Sequence, residues 1–135
     1  MSLSASVVIC THDRLASLQR TVATILAQTR PPAELIIVDD GCQDIPADLE
    51  AQVRRAGIGF EYARQERPSL PASRNRGMDL ARGEIVLLLD DDMLLPADFL
   101  EDLLAVYECD AAGVVSGVGA VAVSTRPVRL ADRIW

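Results

Sequence analysis

Short apolar runs rich in β-branched residues recur along this chain, and after most of them the apolar residues return at helical spacing. That alternation restricts the fold more than any other feature. Val7-Val8-Ile9-Cys10-Thr11 reads as a buried parallel strand, because such strands are covered on both faces and lose the polar alternation. Leu15, Leu18, Val22, Ile25 and Leu26 predict a helix, with Asp13 placed to cap it and Pro31-Pro32 beyond its end. Leu35-Ile36-Ile37-Val38 is a second strand. Ala47 to Ala56 is a weaker helix, with Asp44 as a candidate cap, Pro46 near the first turn and Gly57 able to end it. Phe60 and Tyr62 alternate with polar neighbours and predict a third strand nearer the sheet edge. A loop from Gln65 to Leu70 leads into a small-residue helix, Pro71 to Arg82, ended by Gly83. Ile85-Val86-Leu87-Leu88-Leu89, the most apolar run, is expected as a central strand. Phe99, Leu100, Leu103, Leu104 and Tyr107 form a helical stripe after Pro96, and Gly113 to Val123 reads as a fifth strand. The pattern predicts an α/β fold with a doubly wound, mainly parallel sheet, whose ligands gather at the carboxyl ends of the strands. One unit is expected over residues 1–125, with 126–135 a tail of no clear period.

Three strand ends carry polar groups: Thr11-His12-Asp13, Asp39-Asp40-Gly41 and Asp90-Asp91-Asp92. In a parallel sheet all three point to one rim. Adjacent carboxylates there are costly unless something positive binds them, and a hard divalent cation with oxygen ligands is the usual solution. Mg²⁺ or Mn²⁺ is the expected ion, since the acidic turn lacks the alternating acids and glycine of a Ca²⁺ EF-hand. A solvated acidic turn is the plainer alternative.

Composition removes several chemistries. All 13 basic residues are arginine, which excludes lysine-dependent phosphate loops, Schiff bases and lysine general bases. A formal net charge of −7 argues against a nucleic-acid or anionic-membrane partner. Within that acidic chain, Arg54, Arg55, Arg64, Arg67, Arg74, Arg76 and Arg82 outnumber Glu61, Glu66 and Asp79, an island that could receive a phosphate or form solvated helix faces. Cys10, Cys42 and Cys109 are odd in number with no CxxC spacing, so they read as reduced bystanders. No apolar stretch approaches the roughly 20 residues that cross a bilayer. The opening Met1-Ser2-Leu3-Ser4 has no basic leader, so a cytoplasmic protein is expected, with the cytoplasmic face of a membrane also open.

Four blocks in order resemble family 2 glycosyltransferases of the GT-A type. Val7 to Arg14 is similar to that family's opening strand and turn, and Leu35 to Gly41 to its Ile-Val-Asp-Asp-Gly signature. Ala72-Ser73-Arg74-Asn75-Arg76-Gly77 resembles its Ala-Arg-Asn-x-Gly helix, and Leu89-Asp90-Asp91-Asp92 its Asp-x-Asp metal motif. The resemblance implies a Rossmann-like GT-A nucleotide-binding domain that takes a nucleoside-diphosphate sugar, UDP-linked, for inverting transfer to an acceptor hydroxyl. It implies nucleotide contacts from Thr11, Asp13, Arg14, Asp39, Asp40, Arg74, Asp90 and Asp91. Thr11 and Asp40 would meet base and ribose, Arg74 the base or diphosphate, and Asp90 the ribose. Asp92 would hold the metal, or Asp91 if the motif is aligned back from Pro96. His12 reads as a strand-end neighbour, and Asn75 and Gly77 as shaping the helix. The family's general base comes from a later segment, and Asp132 is the only acid after the fifth strand, so the domain is expected to be truncated and to lack its acceptor half.

Two other classes share parts of this pattern. A phospho-acceptor receiver domain also combines an acid pair with an aspartate on a later strand, but it carries the pair on its first strand and needs a lysine. A non-catalytic nucleotide-binding module of the same fold is the other alternative. A dinucleotide-binding dehydrogenase is disfavoured, because no G-x-G-x-x-G follows the first strand.

Overall fold

The computed structural model describes residues 2–123, which form a four-stranded parallel sheet with helices on both faces. The elements are β1 (Ala5–Thr11), α1 (Leu15–Leu26), β2 (Glu34–Asp39), α2 (Ala47–Arg55), β3 (Gly59–Arg64), α3 (Leu70–Leu80), β4 (Ile85–Asp90) and α4 (Phe99–Glu108). Strand order is β3-β2-β1-β4, the order of one half of a dinucleotide-binding sheet. All seven residues of β1 are buried, as its unbroken apolar run requires.

The two faces separate by residue parity. Val7, Ile9, Leu35, Ile37, Phe60 and Leu89 pack against Leu18, Val22 and Ile25 of α1, Leu49 and Val53 of α2, and Leu100 of α4. On the other face, Val8, Cys10, Ile36 and Val38 meet the end of α3 at Leu80 and Ala81. The buried positions of α1 (Leu18, Thr21, Val22 and Ile25) lie on one stripe at helical spacing.

Several local expectations change. Asp13 does not cap α1, whose N-cap is Arg14 without a side-chain bond, and Asp44 does not cap α2. Their carboxylates are drawn elsewhere, Asp13 to the backbone N–H groups of Cys42 and Gln43 and Asp44 to Arg64. Ser69 caps α3 instead, and that helix begins at Leu70. Gly57 follows α2 at a left-handed φ of 77°. Gly83 admits no side chain because a Cβ there would meet Ser6 of β1.

Two further expectations fail together. Gly113 to Val123 forms no strand, and β4 lies at the edge of the sheet rather than its centre. An unbroken apolar run marks burial on both faces, not pairing on both edges. Even that burial is partial, because α3 lies across β1 and β2 and leaves Val86 and Leu88 exposed. Residues 114–123 pair with no strand among the described residues, although Val118 packs near Leu103 and Leu104. Residues 126–135, including Asp132, lie outside the described residues.

Gly77 sets how closely α3 approaches the sheet, since a Cβ there would collide with Cγ1 of Val8. Valine cannot swing that methyl away freely. Gly77→Ala is expected to lower stability, because overpacking of about 1–3 kcal/mol outweighs a helix-propensity gain of about 1 kcal/mol. Denaturant unfolding of Gly77→Ala, Val8→Ala and the double variant checks this. The double variant should lose less than the sum of the singles.

Candidate functional site

Strand register builds the rim. Thr11 pairs with Asp39, and Cys10 pairs with Asp90, so the ends of β1, β2 and β4 stand side by side. A cleft of about 310 Å³ opens there, lined by Cys10, Thr11, His12, Arg14, Asp40, Leu70, Asp90, Asp91 and Asp92.

Asp40 is the best anchored acid facing this cleft. Its Oδ2 accepts from the backbone N–H of Ser69 at 2.9 Å and from Ser73 Oγ at 3.3 Å, both on the α3 side. Its Oδ1 meets His12 Nδ1 at 2.9 Å and has a lone pair left for a ligand N–H. That bond to Asp40 raises the pKa of His12 above its ordinary 6.5.

The acidic turn divides its carboxylates. Asp91 is buried, with Oδ2 accepting from Thr11 Oγ1 at 2.8 Å and Oδ1 lying 3.1 Å from Arg14 Nη1. Its backbone carbonyl accepts from Thr21 Oγ1 at 2.8 Å. Asp90 and Asp92 turn outward, with side chains 55% and 50% exposed. Asp90 receives Arg74 Nη2 at 3.1 Å, and Asp92 receives Arg14 Nη2 at 2.8 Å.

Three residues expected at the nucleotide, Asp39, Asp13 and Arg74, stand apart from the cleft lining. Asp39 points to the α1/α2 face, where Oδ1 accepts from Gly41 N–H at 2.8 Å and Oδ2 from the Tyr62 hydroxyl at 2.9 Å, with Arg64 at 3.4 Å. Asp13, at a left-handed φ of 49°, clamps the loop after β2 by accepting from Cys42 and Gln43 N–H at 2.6 and 2.8 Å. Those bonds hold its carboxyl below the usual range, that to Gln43 most strongly. Arg74 does not line the cleft but reaches it through Asp90. Of the arginine island, Arg54 pairs with Glu50, Arg55 with Asp48 and Arg64 with Asp39 and Asp44, which leaves Arg74 as the island's ion-pair link to the acidic turn among the described residues.

Sequence reasoning missed the hydroxyls that orient these acids. Ser69 and Ser73 hold Asp40, and Thr21 holds the Asp91 backbone. Ser73 sat inside a recognised block, but its partner is 33 residues away. Cys10, read as a bystander, lines the cleft, and burial pushes its thiol pKa up.

No three His, Cys, Asp or Glu side chains converge into a metal cage among the described residues. That suits a Mg²⁺-type ion, which binds through one or two carboxylates plus substrate phosphates and keeps its waters. Asp92, outward and hard, fits that donor set. No helix among the described residues is long and apolar enough to cross a membrane.

A parallel sheet in this order with an acidic cleft at its carboxyl rim defines a Rossmann-like α/β domain of GT-A type. The chain belongs to glycosyl transferase family 2, whose model matches residues 6–135. It is 33% identical over 117 residues to the glucosyl-dolichyl phosphate glucuronosyltransferase of Haloferax volcanii, covering 85% of this chain and 37% of that protein. Among solved structures it resembles S. aureus TarS in complex with UDP, with a TM-score of 0.68, 24% identity, and 78% of this chain and 32% of that one covered. It also resembles the mannosyltransferase PcManGT from Pyrobaculum calidifontis in complex with GDP-Man and Mn²⁺, with a TM-score of 0.56, 21% identity, and 72% and 30% covered. The chain spans about a third of the length of three curated relatives it matches, 37%, 29% and 36%.

The His12–Asp40 bond gives a pH signature. Because the folded pKa of His12 is raised, its stabilising effect is fully present below about pH 6.5 and is lost as pH rises through the raised value. NMR titration of the His12 ring should show a midpoint above 6.5 that falls back in Asp40→Asn. An unchanged midpoint in that variant would remove the bond from solution.

Proposed function

We propose that this chain is the donor-binding part of a glycosyltransferase, taking a UDP-linked sugar with Mg²⁺ or Mn²⁺ for inverting transfer to an acceptor hydroxyl. The observation that carries this reading is the split of the acidic turn. Asp91 is fastened inward, whereas Asp90 and Asp92 turn out at the cleft that Asp40 and Thr11 also line.

Each residue then has a physical task. Asp40 Oδ1 accepts the imide N–H of uracil, held in place by Ser69 and Ser73 from the other oxygen. Thr11 bonds the base side through its backbone or rim position while its hydroxyl orients Asp91. Asp90 accepts ribose hydroxyls, and Arg74 beside it suits the base or the diphosphate. Asp92 is the metal ligand, and an ion there supplies charge neutralisation for the departing diphosphate. Asp13 and Asp39 shape the β2 turn rather than touch the nucleotide. Fold neighbours carrying UDP, or GDP-Man with Mn²⁺, have the ligand class taken here. Three free cysteines, two of them exposed, fit a reducing compartment, and we place the protein in the cytoplasm.

A receiver domain is set aside, because its sheet follows the order 2-1-3-4-5 whereas this one runs β3-β2-β1-β4. Each carboxylate lining the cleft among the described residues already has a partner: Asp40 with His12, Asp90 with Arg74, Asp91 with Thr11, Asp92 with Arg14. Asp40, Asp90 and Asp92 are assigned here to the donor and its metal and Asp91 to the fold, which leaves none of these four for the acceptor side, so the chain should bind donor without efficient transfer, a deficit of about 10²–10⁴ in rate.

Thermal shift with nucleoside diphosphates and Mn²⁺ tests the reading. At one hundred times its dissociation constant, UDP should stabilise the chain by about 2.7 kcal/mol. No response to any nucleotide with metal present would count against the whole site. Asp92→Asn should weaken metal-dependent UDP binding more than metal-free binding. Equal losses in both conditions would move the metal ligand to Asp91 or dismiss the metal.

A further inference from the structure

One side chain touches both the inward and the outward acids of the turn. Arg14 places Nη1 3.1 Å from Asp91 Oδ1 and Nη2 2.8 Å from Asp92 Oδ2. The two arms sit in different surroundings. Asp91 is 4% exposed at its side chain and fixed by Thr11, so the inner arm is anchored. Asp92 and Arg14 are 50% and 51% exposed, so the outer arm is a solvated pair that contributes little and is readily exchanged.

A divalent cation on Asp92 would compete with Arg14, which now covers Oδ2. Two cations on one carboxylate repel, and the solvated Arg14 arm is the weaker of the two. We propose that Arg14 is the internal counter-ion of the acidic turn, displaced from Asp92 by a divalent cation, and that its freed Nη2 then turns to the nucleotide diphosphate while Nη1 stays on Asp91. Without the ion, Arg14 makes the adjacent Asp91 and Asp92 tolerable, while Arg74 faces Asp90. With the ion bound, the turn no longer needs that charge, and a guanidinium fork is well shaped for phosphate oxygens. Metal and diphosphate therefore bind cooperatively through one side chain. This inference rests on the donor-site reading above.

The consequence is an opposite sign in two measurements. Mn²⁺ alone, titrated into wild type, Arg14→Ala and Arg14→Gln with the free ion followed by electron paramagnetic resonance, should bind about two- to fivefold more tightly to both variants. UDP in saturating Mn²⁺, measured by calorimetry, should bind roughly tenfold or more weakly to them. Circular dichroism checks that the variants fold, and Arg14→Gln, which keeps much of the stem, carries the test if Arg14→Ala does not. Mn²⁺ affinity that is unchanged or lower in the variants, or no Mn²⁺ binding by any protein, overturns the proposal. A merely structural Arg14 would weaken both ligands together. If Mn²⁺ tightens on the variants while no nucleoside diphosphate binds even to wild type, the counter-ion role stands and the donor-site reading falls.

Discussion

Parallel pairing of β1 with both β2 and β4 is the constraint on which the rest of the structure depends. It places Thr11 opposite Asp39 and Cys10 opposite Asp90, so residues 80 positions apart become neighbours on one rim. The pairing holds because β1 is wholly buried, and a one-residue slip would exchange the side chains fitted to α1 with those fitted to α3 and turn the acids to the wrong faces. Right-handed crossovers then distribute the helices, with α3 on one face and α1, α2 and α4 on the other.

That rim gathers charge of one sign, and the chain tolerates it by giving each acid a local partner. Asp39 has the Tyr62 hydroxyl and Arg64, Asp40 has His12 and two groups from α3, and Asp91 has Thr11 and Arg14. The buried acids take hydroxyl and backbone donors as well as arginines, which satisfies their lone pairs without leaving a fixed positive charge unmatched. Arginine pairs reach the exposed acids, Asp90 and Asp92, where a ligand can exchange with them at small cost.

Much of this was legible in the sequence. Among the described residues the first four strands and the helices α1 and α4 fall where apolar periodicity puts them, whereas α2 and α3, read from proline, glycine and small residues, fall within two residues of their expected bounds. The fifth strand was not real, because the β-branched content of residues 113–123 states a preference that only a partner strand can satisfy. The edge position of β4 was hidden for a related reason: side-chain pattern reports what covers a strand's faces and carries no signal for its hydrogen-bonding edges. Caps were misread at Asp13 and Asp44 because a capping carboxylate competes for any nearby donor, and loop N–H groups or Arg64 won.

The site was legible as a set of strand ends but not as an arrangement, although the missing step was available in the strand period. Side chains alternate faces along a strand, and the first residue beyond β2 and beyond β4 still turns to the face opposite the last strand residue. Cys10, Asp40 and Asp90 share the face of α3, where Ser73 and Arg74 meet Asp40 and Asp90. Asp39 and Asp91 share the face of α1 and α2 and turn to Tyr62, Arg64 and Thr11. Three consecutive aspartates are therefore not three equivalent ligands. Parity turns the first toward Arg74 and the second toward Thr11, while the third, beyond the end of β4, is held outward by Arg14.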